Sequence, residues 1–278
     1  MTQWEQIAFY VTFAGYFIAM VAYILYLPFS KQNFALFGRY AAITGLMANS
    51  AAILLRMAIA HRPPLANGYE FILTFAWGIV MVYLLIENRF KLSLGGAFVM
   101  PSAFFLFAFV VFFMSGNERV MTSIQPALKS NWLTFHVITA MMGYGALAVS
   151  FGIGILYLLK QRLEVRKPQG QLNARLPELQ RLDYLGYKMI KLGFPLLTLC
   201  IITGAIWANY AWGTYWSWDP KETWSLVTWI IYAIYLHARL MYGWKGKRSA
   251  WLSVLGFLAV LFTFIGVNYL LTGLHSYA

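Results

Sequence analysis

Eight apolar stretches, separated by short polar stretches, run through the chain. They cover residues 7–29, 36–60, 71–86, 97–115, 133–159, 192–211, 222–240 and 250–272. Most contain close to the ~20 residues that a helix needs to cross a ~30 Å hydrocarbon core. They are apolar around their whole circumference and lack the alternation of a membrane-spanning strand. The pattern predicts an all-α polytopic membrane protein, with residues 1–278 as a single integral membrane domain of eight transmembrane helices.

The composition agrees with a membrane protein and excludes several classes of site. The chain is 61% hydrophobic and only 11% charged, whereas about 25% is usual for soluble domains. A sizeable polar domain between the apolar stretches is therefore excluded. Its single cysteine, Cys200, excludes a disulfide framework, a Cys-x-x-Cys redox pair and an iron–sulfur site built from this chain alone.

The basic residues divide unequally between the two sides of the predicted bundle. Of the 21 Lys and Arg residues, 16 fall on one side. The other side holds five, which are Arg56, Arg62, Arg119, Lys129 and Lys221. The positive-inside rule places the first side in the cytoplasm and both termini outside it. The net charge of +12 then reflects topology rather than nucleic-acid binding. The longest cytoplasmic connection, residues 160–191, is basic and is able to contact anionic lipid.

Tryptophan is concentrated between the sixth and seventh apolar stretches. Six of the 11 Trp residues lie within residues 207–229, which contain the run WGTYWSWDPKETWSLVTW. An interfacial aromatic belt would explain a few of them. This density at one end of one hairpin favours a flat aromatic platform for a large planar ligand.

Two short polar segments have the residue pattern of a helix start. Asp219 is followed by Pro220 and, three positions after the Asp, by Glu222, which is typical of an N-cap with a capping box. Asn67 and Glu70 show the same spacing before the third stretch. Capping is the favoured role of Glu222 and Glu70, and a ligand contact is the alternative.

The four histidines lie at different predicted depths. His61, His136 and His275 lie at the extracytoplasmic ends of helices, whereas His237 follows Pro220 by 17 residues, or roughly 25 Å along a helix. His237 is therefore expected to be buried in the bundle, nearer the cytoplasm, where an ionisable group needs a partner. Neutral imidazole binds haem iron. Zinc is disfavoured because no Cys, Asp or Glu has ligand-like spacing with these histidines, so no metal other than haem iron is expected.

Several segments together resemble a known family. The run WGTYWSWDPKETWSLVTWIIYAIYLHARL resembles the tryptophan-rich WWD domain of haem-handling proteins, in particular the CcsA (ResC) type of cytochrome c biogenesis protein. The resemblance extends to RPPLANGYEF, NWLTFHVITAMMGYGA, LDYLGYKMIKLGFPLLTLCIITGAIWA and GLHSYA, and so to most of the chain. The related CcmC type has fewer spans and a different surrounding sequence.

The resemblance implies a role for individual residues. In such proteins haem b is carried as a substrate to the extracytoplasmic side and joined to the Cys-x-x-Cys-His motif of apocytochrome c. His136 and His275 match the two axial ligands of the outer haem, and His237 matches the ligand of a deeper haem. Residues that match the WWD haem platform are Trp212, Trp216, Trp218, Asp219 and Trp224. His61 is interpreted as a surface residue.

The resemblance also implies a partner and a membrane. A CcsB (ResB)-like membrane protein would supply the second ligand of the deeper haem. This chain then corresponds to the CcsA subunit of system II cytochrome c maturation, and holocytochrome c synthase activity, which forms thioethers, is expected only in that complex. The membrane would be the bacterial cytoplasmic or plastid thylakoid membrane. Alternatives are a haem exporter or chaperone without ligase activity, a b-type membrane cytochrome, and a regulator of haem synthesis.

Overall fold

The computed structural model describes residues 2–121 and 128–273, and this part of the chain is helical with no β-strand. The α-helices are α1 (Gln3–Phe29), α2 (Gln32–Ala60), α3 (Gly68–Phe90), α4 (Gly96–Phe113), α5 (Asn131–Arg166), α6 (Gln171–Arg175), α7 (Leu179–Trp212), α8 (Pro220–Met241), α9 (Lys247–Leu261) and α10 (Val267–Leu270). A π-helical turn, Phe262–Gly266, joins α9 to α10. The predicted all-α fold is confirmed.

Each of the eight predicted apolar stretches lies within a helical segment or extends past its end by at most two residues, and several of the helices are longer than predicted. By length and composition, seven of the described helical segments suffice to cross a membrane. α8 has 22 residues but is not among these seven. Its Lys221, Glu222 and Arg239 lower its mean hydropathy relative to the others. The chain is therefore an integral membrane protein, while the eighth crossing stays a prediction.

α5 lies at the centre of the bundle and packs along α7, α3, α9 and α4, while α1 pairs with α2 and α8 packs on α9 and α7. Small residues allow this close packing, as is common between membrane helices. A Cβ atom built on Gly145 of α5 would lie 2.8 Å from the carbonyl oxygen of Gly78 on α3. Any larger residue at position 145 would separate these two helices.

The predicted cytoplasmic connection 160–191 is mostly helical. α5 continues to Arg166 and α7 already begins at Leu179, because this polar stretch consists largely of good helix formers. Arg239 of α8 holds the extension of α7 by two hydrogen bonds to the carboxylate of Asp183, of 2.6 and 3.0 Å. The helices thus extend past the apolar stretches at this end of the bundle.

A buried ion cluster joins α1, α2 and α3 at the opposite end. The Arg56 guanidinium donates to Glu5 at 2.6 Å and to Glu70 at 2.7 Å, and all three side chains have no exposed surface. Arg62 adds a second contact to Glu70 at 2.9 Å. Buried charges are tolerated where they are paired and hydrogen-bonded in this way. The cluster fixes the start of α3.

The predicted capping box before α3 is only half correct. Asn67 caps the helix, since its side chain accepts a hydrogen bond from the Glu70 N–H at 3.0 Å. The Glu70 side chain does not return to the Asn67 N–H; it accepts from the Ala66 N–H at 2.6 Å and from both arginines. The arginines come from elsewhere in the chain, which a local pattern does not show.

Candidate functional site

A large cleft lies at the end of the bundle where α7 meets α8, which we call the aromatic end. It surrounds about 1090 Å³ of space, counted with its open mouth and the solvent there. Its walls come from α3, α5, α7, α8 and the π-helical turn, with lining residues that include Phe71, Phe75, His136, Tyr144, Trp207, Tyr215, Trp216, Lys221, Phe264 and Asn268. A mainly apolar wall with a few polar groups suits an amphiphilic ligand.

His136 lines this cleft. It lies in the second turn of α5, and its Nδ1 is 2.7 Å from the backbone carbonyl oxygen of Cys200 on α7. A carbonyl only accepts hydrogen bonds, so Nδ1 carries the proton, and in the neutral ring Nε2 then carries the lone pair. Metal-binding histidines are held in the same way, by donation from the other ring nitrogen. His136 is thus in the tautomer that binds a metal ion through Nε2.

Two neighbours set the orientation of the His136 ring. The Trp207 ring is stacked beside it, with centroids 6.3 Å apart and planes inclined by 22°. Gly204 leaves room for it, because a Cβ atom at that position would lie only 2.7 Å from His136 Nδ1. α7 therefore supplies a stacking partner, a hydrogen-bond acceptor and the space for the imidazole.

The predicted platform residues contribute in different ways. Trp216 lines the cleft, and its ring meets that of Trp218 edge to face at 5.8 Å. Trp212 packs behind Trp207, with centroids 4.9 Å apart. Trp224 packs against Phe262 of the π-helical turn at 4.3 Å. Trp216 and Trp207 thus form part of the surface of the cleft, whereas Trp212, Trp218 and Trp224 are not in its lining.

The loop that carries Trp218 has a constrained backbone. Trp218 has a φ of 59°, which is uncommon for a bulky residue. Its side chain is 68% exposed. Immediately after it the chain enters α8, whose capping fixes the loop. An exposed aromatic side chain on a fixed loop is available to a ligand or a partner at the mouth of the cleft.

Asp219 and Glu222 form the capping box that the sequence predicts. The buried Asp219 carboxylate accepts from the Lys221 N–H at 3.0 Å, and the Glu222 carboxylate accepts from the Asp219 N–H at 3.2 Å. Glu222 also accepts from the Ser217 N–H at 2.8 Å. These contacts hold the loop at the start of α8, and the predicted place of Asp219 in the haem platform stays a prediction.

The segment after α10 returns to this loop. A Cβ atom built on Gly273 would contact the Asp219 carboxylate, so residue 273 lies directly beside the capped start of α8. His275, predicted as the second outer ligand, lies outside the described residues. The backbone therefore reaches the aromatic end at Gly273, two positions before His275.

His237 has a different environment from the one predicted. It lies on α8, but its side chain is exposed on the outer surface of the bundle, so the expectation of burial within this chain is wrong. Its ring contacts that of Tyr242 edge to face at 5.7 Å. The depth along the helix follows from the sequence, whereas the direction of the side chain depends on how α8 packs. His61 is exposed at the end of α2, which confirms its interpretation as a surface residue.

The sequence comparisons decide the family. The model of the family described as cytochrome C assembly protein matches residues 65–275, which include the lining of the cleft and the tryptophan-rich loop. The chain belongs to the cytochrome c assembly protein family. Relatives described as cytochrome c biogenesis protein CcsA place it among the CcsA-type members of this family.

Three relatives illustrate this similarity. The protein from Guillardia theta is 38% identical over 96% of this chain and 94% of the relative. That from Pyropia yezoensis is 40% identical over 95% of this chain and 94% of the relative. One from a strain of Prochlorococcus marinus is 38% identical over 94% of this chain and 91% of the relative.

A solved structure shares the fold. The chain described as cytochrome c heme lyase CcmF superposes with a TM-score of 0.71, with 17% sequence identity. The match covers 98% of this CcsA-type chain and 48% of the solved chain, so this chain spans about half its length. The likeness shows a common helical architecture at a sequence identity too low to carry individual residue roles.

Proposed function

We propose that this CcsA-type chain binds haem b as a substrate in the cleft at the aromatic end and presents it to apocytochrome c for covalent attachment. The observation that carries the proposal is His136, whose Nδ1–H donates to the Cys200 carbonyl at 2.7 Å and whose Nε2 therefore has the lone pair. An imidazole of this tautomer in an aromatic cleft has the donor chemistry that haem iron requires.

The cleft also suits the remainder of a haem molecule. Its wall is mainly aromatic and aliphatic, which matches a porphyrin ring, and Lys221 provides a cation for the carboxylates. His275 is proposed as the second axial ligand, which is supported by the position of Gly273 beside Asp219. Ligation from both faces would hold the iron while the tryptophans hold the ring.

The chain itself contributes mainly positioning. Each thioether forms when the S–H of an apocytochrome cysteine adds across a haem vinyl C=C bond, so the reacting atoms belong to the two substrates. The histidines and tryptophans fix the vinyl groups relative to the incoming Cys-x-x-Cys-His motif, which lowers the entropic part of the barrier. The histidine of that motif would then replace one of the two protein ligands and assist release.

A CcsB-like membrane protein is the proposed partner. His237 is exposed on the outer surface of α8, and in a membrane-spanning α8 it would face lipid, where an imidazole is costly. A partner helix against this face of α8 would cover His237 and could supply the other axial ligand of a second, deeper haem. We therefore propose that α8 crosses the membrane as the eighth span and contacts the partner.

The unequal division of basic residues supports an orientation for the complex. With 16 of the 21 Lys and Arg residues on the cytoplasmic side, both termini and the aromatic end face the extracytoplasmic side. The membrane is then a bacterial cytoplasmic or a plastid thylakoid membrane. The cleft opens on the side where apocytochrome c is proposed to receive its haem.

Replacing His136 tests this function. The chain is expressed with a CcsB-like protein and an apocytochrome c, and covalent haem on the cytochrome and bound haem on the membrane complex are measured. His136→Gly should abolish the low-spin absorption spectrum of the outer haem and cytochrome maturation. Added imidazole should restore part of both by filling the cavity as a free ligand.

His61→Gly is the matched control, because His61 lies at the same end of the bundle but is exposed. It should mature cytochrome c at the wild-type level. Maturation by His136→Gly without imidazole would contradict the proposal. Bound haem with no thioether formed by the wild-type complex would instead indicate a haem chaperone without ligase activity.

A further inference from the structure

Lys221 places a cation in the lining of the cleft, together with the carboxamide of Asn268. It is the second residue of α8, and its Nζ donates to the Asn268 Oδ1 at 3.0 Å. The amide nitrogen of Asn268 donates to the carbonyl of Phe264 in the π-helical turn at 3.0 Å. Asn268 is thereby oriented with its oxygen towards the lysine. The sequence leaves two interpretations of Lys221, a partner of a haem propionate and a solvated charge at the interface.

The ammonium of Lys221 forms no salt bridge within the described part of this chain, and the nearby Asp219 carboxylate attracts it only from a longer distance. Among the ion pairs of residues 2–121 and 128–273, none includes Lys221. The two carboxylates closest in sequence, Asp219 and Glu222, accept backbone N–H groups of the capping box. An ammonium has three N–H donors, and the described residues offer an acceptor for one of them.

The hydrogen bond from Lys221 to Asn268 joins α8 to α10, but the position of the charge itself is unfavourable. The first turn of a helix carries the positive end of the helix dipole, which disfavours a cation there. Placing an ammonium against a mainly apolar wall adds a desolvation cost. A negatively charged ligand in the cleft would offset both effects. The arrangement therefore points to an anion as part of the normal ligand.

We propose that Lys221 and Asn268 form a carboxylate subsite that binds a haem propionate. The inference rests on the function proposed above and extends it to the orientation of the ring. The propionates of haem occupy one edge of the porphyrin, and the vinyl groups lie away from that edge. Anchoring a propionate at the start of α8 while His136 holds the iron would restrict rotation of the ring in its plane and direct the propionate edge towards α8. Lys221 is then a positioning residue that fixes which edge apocytochrome c meets.

Haem with and without free carboxylates tests the subsite. The full-length chain is titrated with hemin and with hemin dimethyl ester, in which both propionates are esterified, and binding is followed by the absorption spectrum. Wild type should bind hemin more tightly than the ester by about ten-fold, equivalent to ~1.4 kcal/mol. In Lys221→Met this preference should disappear, because hemin binding falls to the level of the ester. Lys221→Arg should retain most of the preference.

Lys129→Met is the matched control, since it removes an exposed lysine at the same end of the bundle; its preference for hemin should equal that of wild type. The Lys221 variants should keep the spectrum of histidine-ligated iron, as His136 is unchanged. Equal binding of hemin and ester by wild type would overturn the inference. A loss of ester binding in Lys221→Met would also overturn it, because it would show a structural role. If wild type binds neither compound, the proposed function itself fails.

Discussion

Replacing Gly204 with alanine should weaken iron ligation by His136 while leaving the fold stable. A Cβ atom at this position would lie 2.7 Å from His136 Nδ1 and 2.9 Å from its Cε1, whereas ordinary contacts begin at 3.4 Å. The ring must therefore move by about 0.7 Å to restore an ordinary contact distance, and interiors this well packed transmit such a shift. Because Gly204 and the Cys200 carbonyl both belong to α7, the ring moves away from its acceptor as well.

The magnitude follows from the hydrogen bond that this shift breaks. The present Nδ1···O distance is 2.7 Å, and a displacement of this size along the bond takes it beyond the usual upper limit of ~3.2 Å. Loss of such a supporting contact to a metal-binding histidine typically lowers metal affinity by roughly 10- to 100-fold. We expect the affinity of the Gly204→Ala chain for hemin to fall within this range.

Gly186→Ala is a control on the same helix. A Cβ atom on Gly186 would have its nearest neighbour, Ile153 Cγ2, at an ordinary 3.6 Å. Both substitutions remove a helix-interior glycine, which by itself favours the helix by up to ~1 kcal/mol. Hemin titration and thermal unfolding of the two purified variants separate ligation from stability. Equal hemin affinity in both variants would refute the argument that the Cys200 carbonyl orients His136.

Two further substitutions test the ion cluster and the proposed partner face. Glu70→Gln should lower the free energy of unfolding by roughly 3–5 kcal/mol, because it removes one of the two carboxylates that pair with buried Arg56. Glu164→Gln is the control, since the side chain of Glu164 is 40% exposed in its ion pair. This substitution should change the free energy of unfolding by less than ~1 kcal/mol. Chemical unfolding in detergent measures both, and equal effects would count against the cluster. His237→Ala should remove the additional haem that co-expression with a CcsB-like chain provides, whereas His61→Ala should retain it. Unchanged haem content would argue against the deeper site.

The helices and their caps were predictable because they depend on neighbouring residues. An apolar stretch of about 20 residues has few alternatives to a helix in a bilayer, and the Asp219 capping box involves residues three positions apart. The concentration of tryptophan near Trp216 is visible in the sequence alone and predicts a binding surface. The Asn67–Glu70 segment shows where such local patterns fail, since the Glu70 carboxylate pairs with Arg56 of α2 instead of closing the capping box.

The contacts that make the cleft specific join residues far apart in the chain. His136 and its acceptor Cys200 are separated by 64 residues, and Lys221 and Asn268 by 47. Nothing in a single sequence indicates that a particular backbone carbonyl will face a particular imidazole. Gly204 belongs to the site only because α5 passes close to α7 at His136. The residues around Gly204 in the sequence do not distinguish it from any other small residue in a membrane helix.

The sequence by itself determined that the chain is helical, which apolar stretches the helices contain and how far along their helices His136 and His237 lie, since the rise of 1.5 Å per residue converts position into depth. Only the tertiary structure decided which way the side chains face. A soluble helix reveals its buried face through amphipathicity, but a helix that is apolar all round in lipid carries little such signal. The sequence therefore indicates the depth of His237 along α8 but wrongly predicts that its side chain is buried. The tautomer of His136 and the position of Lys221 in the cleft both depend on how the helices pack against one another.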